Sequence, residues 1–116
     1  RICPDSGEPI AIEGSIKEMM DSQFKDLPDE YRKNIPPATE FLKIKPTSTC
    51  ATGTKGRMAV FEMYEMSRDI ENIILTNPIE SAIYDEARKQ GMFTMKEDAL
   101  IKGMNKDIPF EEINKL

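Results

Sequence analysis

The chain has 116 residues, of which 39% are hydrophobic and 32% are charged, and its formal net charge is −5. This length allows one domain with one modest core, and the negative charge argues against a nucleic-acid binder. The chain contains neither a signal peptide nor an apolar run of the roughly 20 residues that a membrane span needs. We therefore expect a cytoplasmic domain and, because the sequence starts at Arg1 rather than Met, a fragment of a longer protein.

The first predicted elements are helical. Ser15 and Glu18 have the spacing of a capping box at the start of a helix. The apolar side chains that follow recur at helical spacing, and they are Ile16, Met19, Met20 and Phe24. A short second helix is predicted to begin near Leu27, and prolines 36 and 37 end it because proline donates no backbone hydrogen bond.

Two segments are predicted to pair as a small antiparallel ribbon. Residues 40–45 alternate between apolar and basic side chains, which is typical of a strand. Residues 57–63 are rich in Met, Val and Phe and follow a turn between Gly53 and Gly56. We expect Cys50, in the connection between these strands, to lie near Cys3.

The chain from residue 67 onward is predicted to be helical. Ser67 has the properties of an N-cap for a helix that buries isoleucines 70, 73 and 74. Asn77 and Pro78 are predicted to end that helix and to start the next one, with Asn77 as its N-cap. A last helix begins near Pro109. Four helices with short connections predict a compact bundle.

A helical corner follows the second of these helices. Gly91 has the position of a C′ residue with positive φ, and Thr94 with Glu97 forms a capping box at the start of the next helix. Together with Met92, these residues are predicted to define the corner. Gly103 lies late in that helix, where alanine is predicted to be neutral or slightly stabilising.

One stretch departs from an evenly mixed surface. Between Phe41 and Phe61 there is no acidic residue, whereas four basic residues occur, namely Lys43, Lys45, Lys55 and Arg57. Two interpretations remain open. These side chains either form an ordinary solvated surface or meet an acidic neighbour or the anionic membrane surface.

The sequence lacks several catalytic motifs. It has no Gly-x-x-x-x-Gly-Lys-[Ser/Thr] phosphate-binding loop, and the segment from Gly53 to Gly56 lacks its spacing. It also has no histidine, so it cannot assemble a Ser/His/Asp or Cys/His nucleophile. The paired carboxylates 97–98 and 111–112 lie in first helical turns, where the helix dipole already favours negative charge. We therefore predict no catalytic and no cofactor-binding residue.

Three motifs nevertheless resemble one family. The run Gly91-Met92-Phe93-Thr94-Met95, with Asp98, Lys102 and Gly103, is similar to a "Gly-Met-x-Thr-Leu-x-x-Asp-Gly-x-x-Lys" motif. Upstream, Thr52-Gly53-Thr54-Lys55-Gly56-Arg57 and Val60-Phe61-Glu62 are similar to "Thr-Gly-Tyr-Lys-Gly-Arg … Ile-Phe-Glu". The segment 109–113 is similar to a closing "Thr-x-Glu-Glu-Val" helix. These motifs resemble the C-terminal region of the type II secretion and type IV pilus assembly ATPases.

The resemblance implies a non-catalytic C-terminal region of a cytoplasmic, hexameric motor at the inner face of the cytoplasmic membrane. It would buttress its own nucleotide domain and neighbouring subunits, and an inner-membrane platform protein is a further partner. ATP and magnesium would bind the parent protein, not this fragment. Secretion, pilus assembly and DNA uptake all remain open. The alternative from a different class is a free-standing helical protein-interaction module without enzymatic activity.

The fold expected from these observations is α+β and mainly α. Residues 1–66 would form a degenerate cysteine-module subdomain with one or two helices and the ribbon. Residues 67–116 would form the four-helix subdomain, and the two parts together would make one compact domain.

The resemblance also implies a four-cysteine metal module at positions 3, 6, 47 and 50. Only Cys3 and Cys50 are cysteines, because Ser6 and Thr47 occupy the other two positions. Structural zinc requires four Cys or His ligands, so we expect no zinc. In a reducing compartment Cys3 and Cys50 would be free thiols packed as small apolar side chains, and a disulfide between them would arise only by air oxidation.

Overall fold

The computed structural model describes all 116 residues. It contains a two-stranded sheet, five α-helices and one 3-10 helix, which confirms the predicted α+β class. In chain order these are β1 (Gly7–Ala11), α1 (Ser15–Gln23), the 3-10 helix (Asp29–Asn34), β2 (Glu40–Ile44), α2 (Arg68–Thr76), α3 (Glu80–Lys89), α4 (Met95–Met104) and α5 (Phe110–Ile113).

The strands β1 and β2 form an antiparallel ribbon in which Gly7 pairs with Ile44 and Ala11 with Glu40. The ribbon itself was predicted, but the partner assigned to residues 40–45 was wrong. Strand β1 contains a glycine and a proline, which are rare within strands and conceal it in the sequence; proline is tolerated because the strand lies at a sheet edge. At the other edge of β2, the Ile44 N–H donates to the Glu111 carboxylate at 3.0 Å.

The expected second strand, residues 57–63, joins no sheet. Side chains of α4 satisfy part of its backbone instead. The Phe61 N–H donates to Asp98 Oδ2 at 2.8 Å, and Lys102 Nζ donates to the Ala59 carbonyl at 2.6 Å. Both contacts lie at the exposed surface and attach residues 59–61 to α4, so this segment lies against a helix and does not pair with a strand.

The main hydrophobic core joins both halves of the chain. Its fully buried centre is formed by Phe41 of β2, Leu100 of α4 and Ile113 of α5. The other buried members are Phe24, Leu27, Ala99, Met104 and Ile108. The predicted apolar face of α1 packs against this core through Ile16, Met19 and Met20.

A second, smaller core lies between α2 and α3. It contains Ile70, Ala87 and Met92, with Ile83 and Tyr84 packed against it. Ile74, which the sequence predicted to face inward, is 37% exposed. The four C-terminal helices thus pack as two pairs, α2 with α3 and α4 with α5.

The molecule is elongated. Its principal extents are 57 × 29 × 20 Å and its radius of gyration is 16.8 Å, whereas a compact chain of this length has a radius of gyration of about 13 Å. No helix combines the length and the apolar character needed to cross a lipid bilayer.

Two of the predicted N-caps are confirmed and two are wrong. The Ser67 side chain caps α2, and Thr94 with Glu97 forms the complete capping box of α4. By contrast, α1 begins at Ser15, as predicted, but its N-cap is Gly14 at φ +57°, which has no capping side chain. Asn77 is the C-cap of α2, where its N–H donates to the Ile73 carbonyl, and α3 begins too far along the chain for Asn77 to be its N-cap.

Helix α3 accordingly begins at Glu80, two residues later than predicted, with Ile79 as its N-cap. Pro78 is therefore not its first helical residue. The extended backbone of Ile79 directs the chain into the helix without any side-chain cap.

Candidate functional site

The predicted corner between α3 and α4 is built on Gly91. The Gly91 N–H donates to the Arg88 carbonyl at 3.0 Å and the Met92 N–H donates to the Ala87 carbonyl at 3.1 Å. This pair of hydrogen bonds is the Schellman motif, which requires a left-handed C′ residue. Gly91 has φ +89°, as predicted.

Gly91 is also restricted by a neighbour that is distant in sequence. A Cβ atom at this position would lie 2.5 Å from Cδ1 of Tyr31, in the 3-10 helix, and 2.6 Å from its Cγ. Only a residue without a side chain therefore allows the Tyr31 ring to lie against the turn. The backbone conformation and the packing independently require glycine.

A buried ion pair spans the corner. The side chains of Arg88, at the end of α3, and Glu97, in the first turn of α4, are 3% and 0% exposed. Arg88 Nη2 donates to Glu97 Oε2 at 2.9 Å, and Nη1 donates both to Glu97 Oε1 and to the Met92 carbonyl. Glu97 also accepts the Thr94 N–H at 3.0 Å, so a single carboxylate caps α4 and binds α3.

The same ion pair holds the chain segment that follows α1. Arg88 Nε donates to Asp26 Oδ1 at 3.0 Å and its Nη2 donates to the Gln23 carbonyl at 3.3 Å. The Gln23 amide in turn donates to Glu97 Oε2 at 3.0 Å. Every buried side-chain nitrogen and oxygen has a partner, so the cluster is fully satisfied and holds three elements in one arrangement.

Two pKa values in this region are raised. Burial by itself lowers the pKa of Arg88, but the hydrogen bond and charge of Glu97, followed by those of Asp26, raise it by more. Burial raises the pKa of Tyr84, and the negative charge of Asp26, to which the phenol donates at 3.4 Å, raises it further. Arg88 is therefore a permanent cation at the centre of the corner.

Sequence reasoning found Gly91, Met92, Thr94 and Glu97 but missed the role of Arg88. A basic residue in the last turn of a helix is explained by the helix dipole alone, so nothing local indicated that Arg88 is buried. A capping-box glutamate at 0% exposure is also unusual. Its burial follows from packing against α1, which cannot be seen in the local pattern.

The Asp98 and Lys102 positions of the motif resemblance form a second arrangement on α4. Lys102 Nζ contacts Asp98 Oδ2 at 2.6 Å and lies 5.0 Å from the centre of the Phe61 ring. Through the backbone contacts described above, the two side chains hold residues 59–61. Two motifs that are 37 residues apart in sequence are thus in direct contact.

The four positions of the implied cysteine module come together. Residues 3–6 precede β1 and residues 47–50 follow β2, so antiparallel pairing brings the two segments side by side. Cys3 and Cys50 are joined by a disulfide, and Ser6 Oγ lies 3.4 Å from Thr47 Oγ1. The predicted proximity is confirmed, whereas the expectation of free thiols was wrong, since no cysteine is free.

The residues present at this module do not fit a zinc ion. Zinc takes thiolate or imidazole ligands, but both sulfur atoms are bonded to each other and the other two positions carry neutral hydroxyls. No group of three or more His, Cys, Asp or Glu side chains comes together that could hold a metal.

The four basic candidates occupy different surroundings. Lys43 faces Glu8 across the ribbon at 3.8 Å, so it is not surplus positive charge. Lys45 and Lys55 are exposed close to the module, where the Lys45 N–H donates to the Ser6 carbonyl. Arg57 borders an open cavity of about 410 Å³ whose lining includes Val60, Ile108 and Ile113. Their role as an interface remains a prediction.

Three curated proteins are similar to parts of this chain. A type II secretion system protein E from Xanthomonas campestris pv. campestris is 30% identical over 83 residues, which are 70% of this chain and 15% of that protein. The type IV pilus assembly ATPase PilB of Pseudomonas aeruginosa is 28% identical over 67 residues, 58% of this chain and 12% of that protein. The PilB of Thermus thermophilus is 34% identical over 62 residues, 53% of this chain and 7% of that protein.

No family model and no solved structure matches the chain. The chain spans between 7% and 15% of the length of these three relatives. The comparisons confirm the resemblance carried by the motifs: the chain is similar to one region of the ATPases of type II secretion and type IV pilus assembly.

Proposed function

We propose that this chain is a non-catalytic, C-terminal region of a secretion or pilus-assembly ATPase, in which it buttresses the nucleotide domain and the contacts between subunits. The observation that carries the proposal is the extent of the similarity. It covers 53% to 70% of this chain but no more than 15% of any of the three relatives. The motifs that the chain shares with the family contain no phosphate-binding loop.

The exposed apolar side chains support a role in contacts. Five large hydrophobic residues between positions 61 and 79 are more than half exposed, namely Phe61, Met63, Met66, Leu75 and Ile79. Three of these side chains lie within the six residues 61–66, and apolar side chains that are exposed close together favour a contact with another protein surface. In a longer ATPase these side chains would be covered by the nucleotide domain or by an adjoining subunit.

The corner suits the transmission of force. The Schellman turn at Gly91 and the buried pair of Arg88 and Glu97 hold α3 and α4 at one angle, and α1 is bound to the same pair. Such a rigid unit transmits a displacement from one helix to the other without deforming. ATP and magnesium would act in the nucleotide domain of the hexameric, cytoplasmic parent, and an inner-membrane platform protein would receive the motion.

The first experiment measures the isolated chain. Incubation with ATP and magnesium should release no phosphate above a buffer blank, and light scattering should give no hexamer, because this region lacks the phosphate loop and most of the subunit surface. Turnover that disappears in Lys55→Ala would refute the non-catalytic role.

The second experiment tests the buttressing role in the full-length ATPase. Leu75→Glu places a charge on the exposed face of α2 and should weaken assembly of the hexamer and its ATP turnover, while Lys17→Glu on the exposed surface of α1 serves as the control. The isolated Leu75→Glu chain should keep its melting temperature because Leu75 is 74% exposed. Unchanged assembly and turnover would refute a buttressing role for this face of α2. In the alternative, a free-standing helical interaction module, the exposed Ile74 and Leu75 would form the docking face.

A further inference from the structure

Two tight turns bring the four module positions together. The Ser6 N–H donates to the Cys3 carbonyl at 3.0 Å, and the Cys50 N–H donates to the Thr47 carbonyl at 3.2 Å. Each turn therefore presents its first and fourth residues on one side, which is the arrangement used by paired metal ligands. The side chains of all four residues meet between the turns as one disulfide and one pair of hydroxyls.

We propose that the Cys3–Cys50 pair is a reversible redox crosslink that takes the place of a metal ion in this module. The two remaining positions cannot supply thiolates, so the reduced module offers a metal only two sulfur ligands, fewer than a structural zinc site needs. The disulfide links the two turns through two residues, whereas a metal ion would link them through four ligands. The inference rests on the same family resemblance as the proposed function, because that resemblance implies the metal module, but its test measures the redox state and metal content of this chain and not ATPase assembly.

The crosslink connects parts of the chain that hydrogen bonds also hold together. It spans 47 residues and ties the start of the chain to the loop after β2. Apart from the disulfide, the first residues are held by backbone hydrogen bonds from the Cys3 N–H to the Gly53 carbonyl and from the Ile2 N–H to the Asp107 carbonyl. Reduction would leave those bonds in place but remove the covalent restraint from a loop that carries Lys45 and Lys55.

The unequal exposure of the two sulfur residues sets the order of the reaction. Cys3 is 7% exposed, whereas Cys50 is only partly buried. The Cys50 thiolate attacks a small disulfide such as oxidised glutathione, forms a mixed disulfide and releases one glutathione thiolate. The Cys3 thiolate then attacks the Cys50 sulfur and releases the second glutathione.

In total, two protein thiols lose two electrons and two protons, and one glutathione disulfide becomes two glutathione thiols. A dithiol reductant such as dithiothreitol reverses the exchange, so the crosslink opens and closes without any metal.

The test uses the intact chain in buffers with a series of ratios of oxidised to reduced glutathione. Trapping free thiols with iodoacetamide, followed by mass spectrometry, should show one two-electron transition between the dithiol and the disulfide. The melting temperature should fall by on the order of 10 °C on reduction, since closing a loop of this length constrains the unfolded chain. The Cys3→Ser/Cys50→Ser double variant should melt at the same temperature in both buffers.

Metal analysis provides the second arm. Reduced wild-type protein incubated with zinc and desalted should retain well under one zinc per chain. The Ser6→Cys/Thr47→Cys double variant, reduced in the same way, should retain about one, because it restores four thiolates at positions that already meet. Stoichiometric zinc in the reduced wild type, or an identical melting temperature in both redox states, would overturn the proposal.

Discussion

Replacing Gly91 by alanine tests the corner most directly, because two separate physical effects oppose a side chain there. The first is backbone strain, since φ is +89°. The second is steric overlap, since the new Cβ would lie between 2.5 and 2.8 Å from three ring atoms of Tyr31. Gly56 is the matched control, because its φ is +73° but nothing lies within 4 Å of its Cβ position.

The two effects have different magnitudes. A non-glycine residue in the left-handed region costs about 1 kcal/mol of stability, and this penalty applies to both glycines. Forcing extra volume into a packed contact costs a further 1–3 kcal/mol, roughly, and this applies to Gly91 alone. We therefore expect Gly91→Ala to lower the free energy of unfolding by about 2–4 kcal/mol and Gly56→Ala by about 1 kcal/mol. Gly91→Val should be at least as damaging as Gly91→Ala.

Thermal melting followed by circular dichroism measures the difference. For a domain of this size each kcal/mol corresponds to about 4 °C, so Gly91→Ala should melt roughly 8–16 °C below the parent and Gly56→Ala about 4 °C below it. Combining Gly91→Ala with Tyr31→Ala isolates the contact as a coupling energy in a double-mutant cycle. Equal losses for the two glycines would show that the Tyr31 contact is unimportant, and an unchanged melt for Gly91→Ala would refute the role assigned to the corner.

Three further predictions concern single residues. Arg88→Met should destabilise the chain by about 3–5 kcal/mol in urea titrations, because it leaves the Glu97 carboxylate buried without its partner. Adding Glu97→Leu to Arg88→Met should recover much of that loss. If the two losses of stability were additive instead, the pairing would be contradicted. Gly103→Ala, expected from the sequence to be neutral or slightly stabilising, should instead lower the melting temperature, since its Cβ would overlap the buried side chain of Ile113 although the backbone is helical. Lys106→Gly should raise stability by up to about 1 kcal/mol, because Lys106 is the C′ residue of α4 and its φ of +66° is strained for any residue but glycine. A lower melting temperature of this variant would mean that the lost ion pair between Lys106 and Glu40 outweighs the relief of backbone strain.

The sequence by itself determined the features that depend on neighbours along the chain. The capping box of Thr94 and Glu97, the Ser67 cap and the glycine stop at Gly91 involve residues at most five positions apart, so the sequence shows the residues that interact. The apolar face of α1 follows from helical spacing in the same way. The family resemblance rested on the motifs within residues 52–62, 91–103 and 109–113, and the comparisons confirmed it.

Only the tertiary structure decided the features that depend on residues far apart in sequence. The partner of β2 is β1, a short strand with glycine and proline that no local pattern distinguishes. Gly103 looked tolerant because its backbone is helical, but the space beside it is taken by α5. Arg88 looked like an ordinary basic residue at a helix end, yet it is buried among groups from α1 and α4.

The disulfide also depended on the register of the ribbon, since pairing Gly7 with Ile44 brings Cys3 to Cys50. In each of these cases the deciding contact is made when distant segments pack together. The spacing of residues along the sequence therefore determines where helices end. The packing of distant segments determines which polar groups are buried, which glycines are required and which thiols meet.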